Sequence, residues 1–184
     1  MKMNVRTITT LAVLAAISVL LVALVHFPIF PAAPFLEYDP ADIPIFIATF
    51  AFGPVCGVIL TAVVSVIQGF TVSAASGVIG ILMHLLATGS FALVAGYIYK
   101  KNKSRKGSIV ALLSGVGVMV GVMVLWNILF TPIYMGVDQS VVMGMLVPVI
   151  IPFNLIKAGV NAAITMVLYK HIGKLFRKSG ALKR

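Results

Sequence analysis

The chain has 184 residues, of which 61% are hydrophobic and only 10% charged, and its mean hydropathy is +1.14. Those values exclude an ordinary soluble domain. The formal charge of +10 does not mark a nucleic-acid face, because the bases sit in short segments between apolar runs.

The first apolar run, about residues 7–26, follows Lys2 and Arg6. It is longer than the apolar part of a secretory signal and leads into prolines rather than a small-residue cleavage site, so a retained span is expected. It ends at Phe27-Pro28, since proline disfavours helix in the residue before it. Residues 27–44 form a loop with five of the nine prolines and three of the four acids. Asp42, bracketed by Pro40 and Pro44, is expected to cap the next helix.

Residues 43–70 are apolar but broken by Phe52-Gly53-Pro54, which predicts a short helix over 42–52 and a second over 54–70. Eleven residues rise only about 16 Å, too little to cross a bilayer core of about 30 Å, so the short helix has to pack inside protein, under the Pro-rich loop. A small polar loop over 71–77, a span over 78–99, a basic loop over 100–108 and a span over 109–133 follow. A turn around Gly136–Gln139 leads to a last helix that ends near 176, its start at 145 or 152 left open by Pro148 and Pro152. The fold class is an all-α, integral membrane six-helix bundle, with 1–184 as one domain.

Thirteen of the fourteen bases lie in the amino tail, the 100–108 loop and the carboxyl tail. By the positive-inside rule these face the cytoplasm, so both termini are cytoplasmic and the 27–44 loop is outside a multi-pass cell-membrane protein.

The exception is Lys157. A lysine at the centre of a transmembrane helix costs about 3 kcal/mol on insertion scales. Asn154, Lys157 and Asn161 are spaced i, i+3, i+7 and share a helix face. Asn127 and Trp126, late in the preceding span, fall at a similar depth. Two amides and an ammonium, lidded by Glu37, Tyr38, Asp39 and Asp42, suit a neutral ligand rich in hydroxyl or amide groups. Tyr38, Phe35, Phe46 and Trp126 offer rings for a planar group. The alternative is structural: Lys157 snorkels and the asparagines bond between helices. Asn161 is assigned to helix packing, and His84 to a satisfied polar position in the bundle. Ala12 and Ala16 form a small-xxx-small face open to internal packing or to a partner.

No Ser/His/Asp set, HExxH motif or intramembrane carboxylate pair is present, which argues against an enzyme or a metal centre. No G-x-x-x-x-G-K-[ST] motif exists, so the chain cannot run on ATP by itself. Gly115, Gly117 and Gly121 lie inside an apolar span with no strand before them and read as helix packing. The single Cys56 excludes an internal disulfide.

Four segments together resemble the substrate-binding S component of energy-coupling factor (ECF) vitamin transporters, most closely the riboflavin-specific type. They are Ala12-x-x-x-Ala16, the Leu36–Pro44 loop, Phe50-Ala51-Phe52-Gly53-Pro54 and Pro152-Phe153-Asn154-Leu155-Ile156-Lys157, and the likeness extends over about 6–176. The resemblance implies a six-helix protein that takes riboflavin from outside as a transported ligand, with no cofactor. A transmembrane coupling subunit and two ATPase subunits would supply the energy. Asn127, Asn154 and Lys157 would bond the vitamin, residues 36–46 would cap it, and Ala12 and Ala16 would meet the coupling subunit. The rival readings are an S component for thiamin, biotin or a flavin phosphate, a photoactive protein with Lys157 as a Schiff base, and a structural membrane protein without a ligand.

Overall fold

The computed structural model describes residues 4–31 and 33–181; Lys2, Lys183 and Arg184 of the charge pattern lie outside the described residues. Helix α1 (Val5–Leu24) begins two residues earlier than predicted because the Asn4 side chain accepts from the Thr7 amide at 2.7 Å. The Pro-rich loop is not wholly irregular. Phe27–Pro28 (β1) pairs antiparallel with Glu37–Tyr38 (β2), and the Phe27 and Tyr38 rings meet at 5.5 Å.

The break at Gly53-Pro54 is where the sequence put it, between α2 (Asp42–Phe52) and α3 (Pro54–Phe70). Gly53 has φ +100°, a conformation a side chain would strain, and Pro54 opens the next helix where its missing N–H costs nothing. Helix α2 is the centre of the molecule. Residues 42–50 are all buried, and α1, α3, α4 and α7 pack around them. The approach is close: a Cβ on Gly96 would stand 2.8 Å from the Pro54 Cα. Asp42 does not cap this helix. Ala41 occupies the cap position without a side-chain bond, and Asp42 is the first helical residue, fully buried.

Helix α4 (Gly77–Lys101) follows a short 3₁₀ turn, Ala74–Ser76, and α5 (Arg105–Met135) is capped by Ser104. The last α-helix starts at Ile151, beside the later of the two expected positions, but it continues a helical run that begins upstream. α6 (Gln139–Met145), a π-helical stretch (Leu146–Ile150) and α7 (Ile151–Lys178) form one 40-residue helical run. A π turn shifts the backbone bonding by one residue, which accommodates the missing donor of Pro148 without ending the helix.

Among the described residues four helical runs are long and apolar enough to cross a membrane: Val5–Leu24, Ala74–Lys101, Arg105–Met135 and Gln139–Lys178. Their outward faces carry large exposed apolar side chains such as Val13, Leu20, Leu113, Leu125 and Leu129, which suits lipid. The molecule is a multi-pass, all-α membrane bundle. Thr7 Oγ1 donates to the Ala181 carbonyl at 3.0 Å and the Tyr169 hydroxyl donates to Ser108 Oγ at 2.9 Å. Those bonds gather the start of α1, the start of α5 and the end of α7 at one end of the bundle. The basic segments therefore share one end, and the acidic loop lies toward the other.

Candidate functional site

Where α2, α4 and α7 meet the acidic loop, the bundle holds a hydrogen-bonded cluster of unlike charges. Lys157 Nζ donates to Asp39 Oδ2 at 2.7 Å and to the Glu37 carbonyl at 3.2 Å. Asp39 also accepts from the Ala41 amide at 3.0 Å, which folds the loop over the start of α2. The ammonium is thus neutralised by the loop rather than by snorkelling, and a charge that is costly in lipid is satisfied by a partner from a segment 118 residues away.

Asp42 is the second anchor. It accepts from Thr88 Oγ1 at 2.7 Å and from Asn161 Nδ2 at 3.3 Å, and its Oδ1 lies 3.2 Å from His84 Nε2. A carboxylate only accepts, so Nε2 carries a hydrogen toward Asp42, and His84 Nδ1 sits 2.7 Å from Ser65 Oγ. His84 is therefore a partnered polar residue of the bundle, and it also borders the cavity described below.

Asn161 is the residue that the spacing argument undervalued. It is fully buried, donates to the Asp39 carbonyl at 3.0 Å as well as to Asp42, and accepts from the Tyr38 hydroxyl at 3.1 Å. It ties the loop to two helices. The signal was present in its i+4 relation to Lys157, but the partners are 119 to 123 residues away in sequence. Burial, followed by the neighbouring Asp39 charge, raises the Tyr38 phenol above its ordinary value and keeps it a donor.

Asn127 and Asn154 stand apart from this cluster. Asn127 donates to the Met123 carbonyl at 2.7 Å and accepts from Thr131 Oγ1 at 2.8 Å; Asn154 donates to the Ile150 carbonyl at 2.8 Å. Both are buried, and these bonds stay within their own helical runs. Phe46 is stacked on Phe91 with centroids 3.6 Å apart, and Trp126 on Phe130 at 4.2 Å. Those faces are already taken. Ala12 and Ala16 lie on the exposed side of α1, free of internal packing.

Two small cavities adjoin the cluster. One, of about 80 Å³, reaches Lys157, Asp39, Glu37, His84 and Gln68. The other, of about 30 Å³, reaches Asn127, Thr131 and Tyr134. Phe35, Ser76, Gly80 and Met83 belong to both walls, so the loop's Phe35 stands between the lysine side and the asparagine side. A larger groove of about 470 Å³ runs along the basic end between α1 and α7, lined by Arg6, Thr9, Val13 and Phe176, and is remote from these groups. Among the described residues no cluster of His, Cys, Asp or Glu could hold a metal ion.

A buried polar cluster beneath a loop, set in a lipid-facing bundle, defines a multi-pass membrane protein with a polar site under one loop. Over residues 6–169 the chain matches the family described as ECF transporter, substrate-specific component, and it belongs to that family. It is 32% identical over 151 residues to the riboflavin transporter RibU of Staphylococcus aureus (strain TCH60), covering 79% of both chains. It is 30% identical over 143 residues to the riboflavin transporter FmnP of Bacillus subtilis (strain 168), covering 73% of this chain and 75% of that one. A solved structure described as the S component of a bacterial ECF transporter superposes with a TM-score of 0.79 at 32% identity, over 92% of this chain and 96% of the other.

Proposed function

We propose that this chain is the riboflavin-binding subunit of an ECF-type vitamin uptake transporter in the cell membrane. The observation that carries the reading is the Lys157–Asp39–Asn161 cluster beside a cavity whose walls continue to Asn127, in a chain similar to two riboflavin transporters. The basic end, with both termini, faces the cytoplasm, and the acidic loop faces outward.

Ligand pockets of drug-sized molecules occupy about 300–1,000 Å³, far more than the cavities of about 80 and 30 Å³ here. Riboflavin therefore enters by displacing Phe35 and the loop that carries it, which joins the two spaces. Lys157 then exchanges the Asp39 carboxylate for ligand oxygens, while Asn154 and Asn127 offer amide groups. Glu37, Tyr38, Asp39 and Asp42 act from the lid side: Tyr38 and Asp42 hold Asn161, and Asp39 returns to Lys157 when the site empties. Phe46 and Trp126 act at one remove, packed on Phe91 and Phe130. A separate coupling subunit meets the exposed Ala12–Ala16 face, and two ATPase subunits supply the energy this chain lacks.

The direct test is the small molecule that copurifies. Yellow protein with flavin absorbance supports the reading; colourless protein that does not quench added riboflavin overturns it. Ala12→Trp is expected to leave flavin binding intact and to abolish uptake by cells, and full-rate uptake removes the docking face from the proposal.

A further inference from the structure

Among the described residues two buried polar atoms have no partner inside the protein, Ser18 Oγ and Gln68 Oε1, and of the two only Gln68 borders the cavity beside Lys157. Gln68, in the last turn of α3, is only 6% exposed, and its Oε1 makes no hydrogen bond. An unmet buried acceptor is destabilising, because it has given up its bonds to water without replacing them. Gln68 borders the cavity of about 80 Å³ that also reaches Lys157. The neighbouring polar groups on its own and the next helix are already engaged: Ser65 donates to the Thr61 carbonyl at 2.7 Å, and His84 lies between Ser65 and Asp42. The same wall continues through Ser73 and Ser76, so this corner of the cavity is built of hydroxyls and one free carbonyl. Lys157, on the opposite helix, brings only donors.

We infer that Gln68 is a specificity-determining residue of the site, accepting a hydrogen bond from a hydroxyl of the ligand's side chain. The inference rests on the riboflavin reading and deepens it. Donors on α7 suit the oxygens of the ring system, and an amide carbonyl on α3 suits the hydroxyls of a polyol. The corner between α3 and α4 therefore reads the ribityl chain while α7 reads the ring. A site that rejects a ligand lacking a hydroxyl does so because its own acceptor is then left buried and unmet.

The test compares two flavins on the purified, detergent-solubilised protein by fluorescence quenching. Riboflavin carries the ribityl chain; lumiflavin carries a methyl group in its place. Gln68→Leu is expected to weaken riboflavin by at least about tenfold and to leave lumiflavin within about twofold. Lumiflavin binding reports that the variant is folded, and Gln68→Met, which keeps the length without the acceptor, is expected to show the same selective loss. Unchanged riboflavin affinity means that Gln68 faces only water, and overturns the inference. Equal losses for both flavins in both variants mean that Gln68 supports the fold, and also overturn it. Wild-type protein that binds neither flavin overturns the riboflavin reading itself, an outcome distinct from the other two.

Discussion

The two ends of the contact between α2 and α7 are made of opposite materials. Toward the loop, Asp42, Asn161, Lys157 and Asp39 exchange hydrogen bonds. Toward the basic end, Phe50 stacks on Tyr99 at 4.3 Å, Tyr169 meets both rings edge-on, and Phe52 packs on Phe176 at 5.4 Å. A hydrogen-bonding group can trade one partner for another at small net cost, whereas a packed ring that leaves its place opens a cavity. The loop end is therefore the end at which a ligand can exchange, and the basic end is a fixed plug. A solute held at Lys157 would have to pass those rings to reach the basic end.

Three substitutions sharpen or break this contrast. The largest effect is expected from Phe50→Ala, which should cost about 3–5 kcal/mol of stability through the cavity it leaves, with the flavin dissociation constant held within about twofold. Thermal unfolding and fluorescence titration read the two quantities. A loss of affinity as large as that of a loop-end variant would erase the distinction between plug and site. Next comes Lys157→Ala, expected to weaken flavin binding by about 2–3 kcal/mol, because charge-assisted bonds are lost, and to loosen the loop by leaving Asp39 unpaired. Unchanged affinity would place the pocket elsewhere. The smallest is Tyr169→Phe, which removes the hydroxyl bonded to Ser108 and should lower stability by about 1 kcal/mol without touching affinity.

Much of the fold was legible because lipid enforces simple rules. Apolar length marked the spans, Gly53-Pro54 marked the break, and the bases sorted the ends. Lys157 stood out for the same reason: a charge in an apolar run demands a partner. What was not legible depends on contacts across the chain. Asp42 looked like a cap because its flanking prolines are local signals, but its partners Thr88, His84 and Asn161 come from α4 and α7. Asn161 looked like packing because nothing near it in sequence needs an amide. Gln68 was invisible, since a glutamine near the end of an apolar helix carries no sign of whether its side chain is met. The continuity of the last helix with the stretch before it was not legible because Pro148 normally ends a helix, and the π turn that absorbs it leaves no mark in hydropathy.

That π turn has a consequence for the orientation of the site. The Ile151 amide donates to the Leu146 carbonyl, one residue further back than in an α-helix. Each residue turns an α-helix by about 100°, so the extra residue rotates α7 against α6 by about that amount. It lets Val142 and Leu146 face inward above the turn while Asn154, Lys157 and Asn161 point into the bundle or along its edge below it. The stretch 146–150 thus works as an angular setting. Deleting one residue there would shorten the helix by only about 1.5 Å, yet it would swing the ammonium away from Asp39 and toward the lipid.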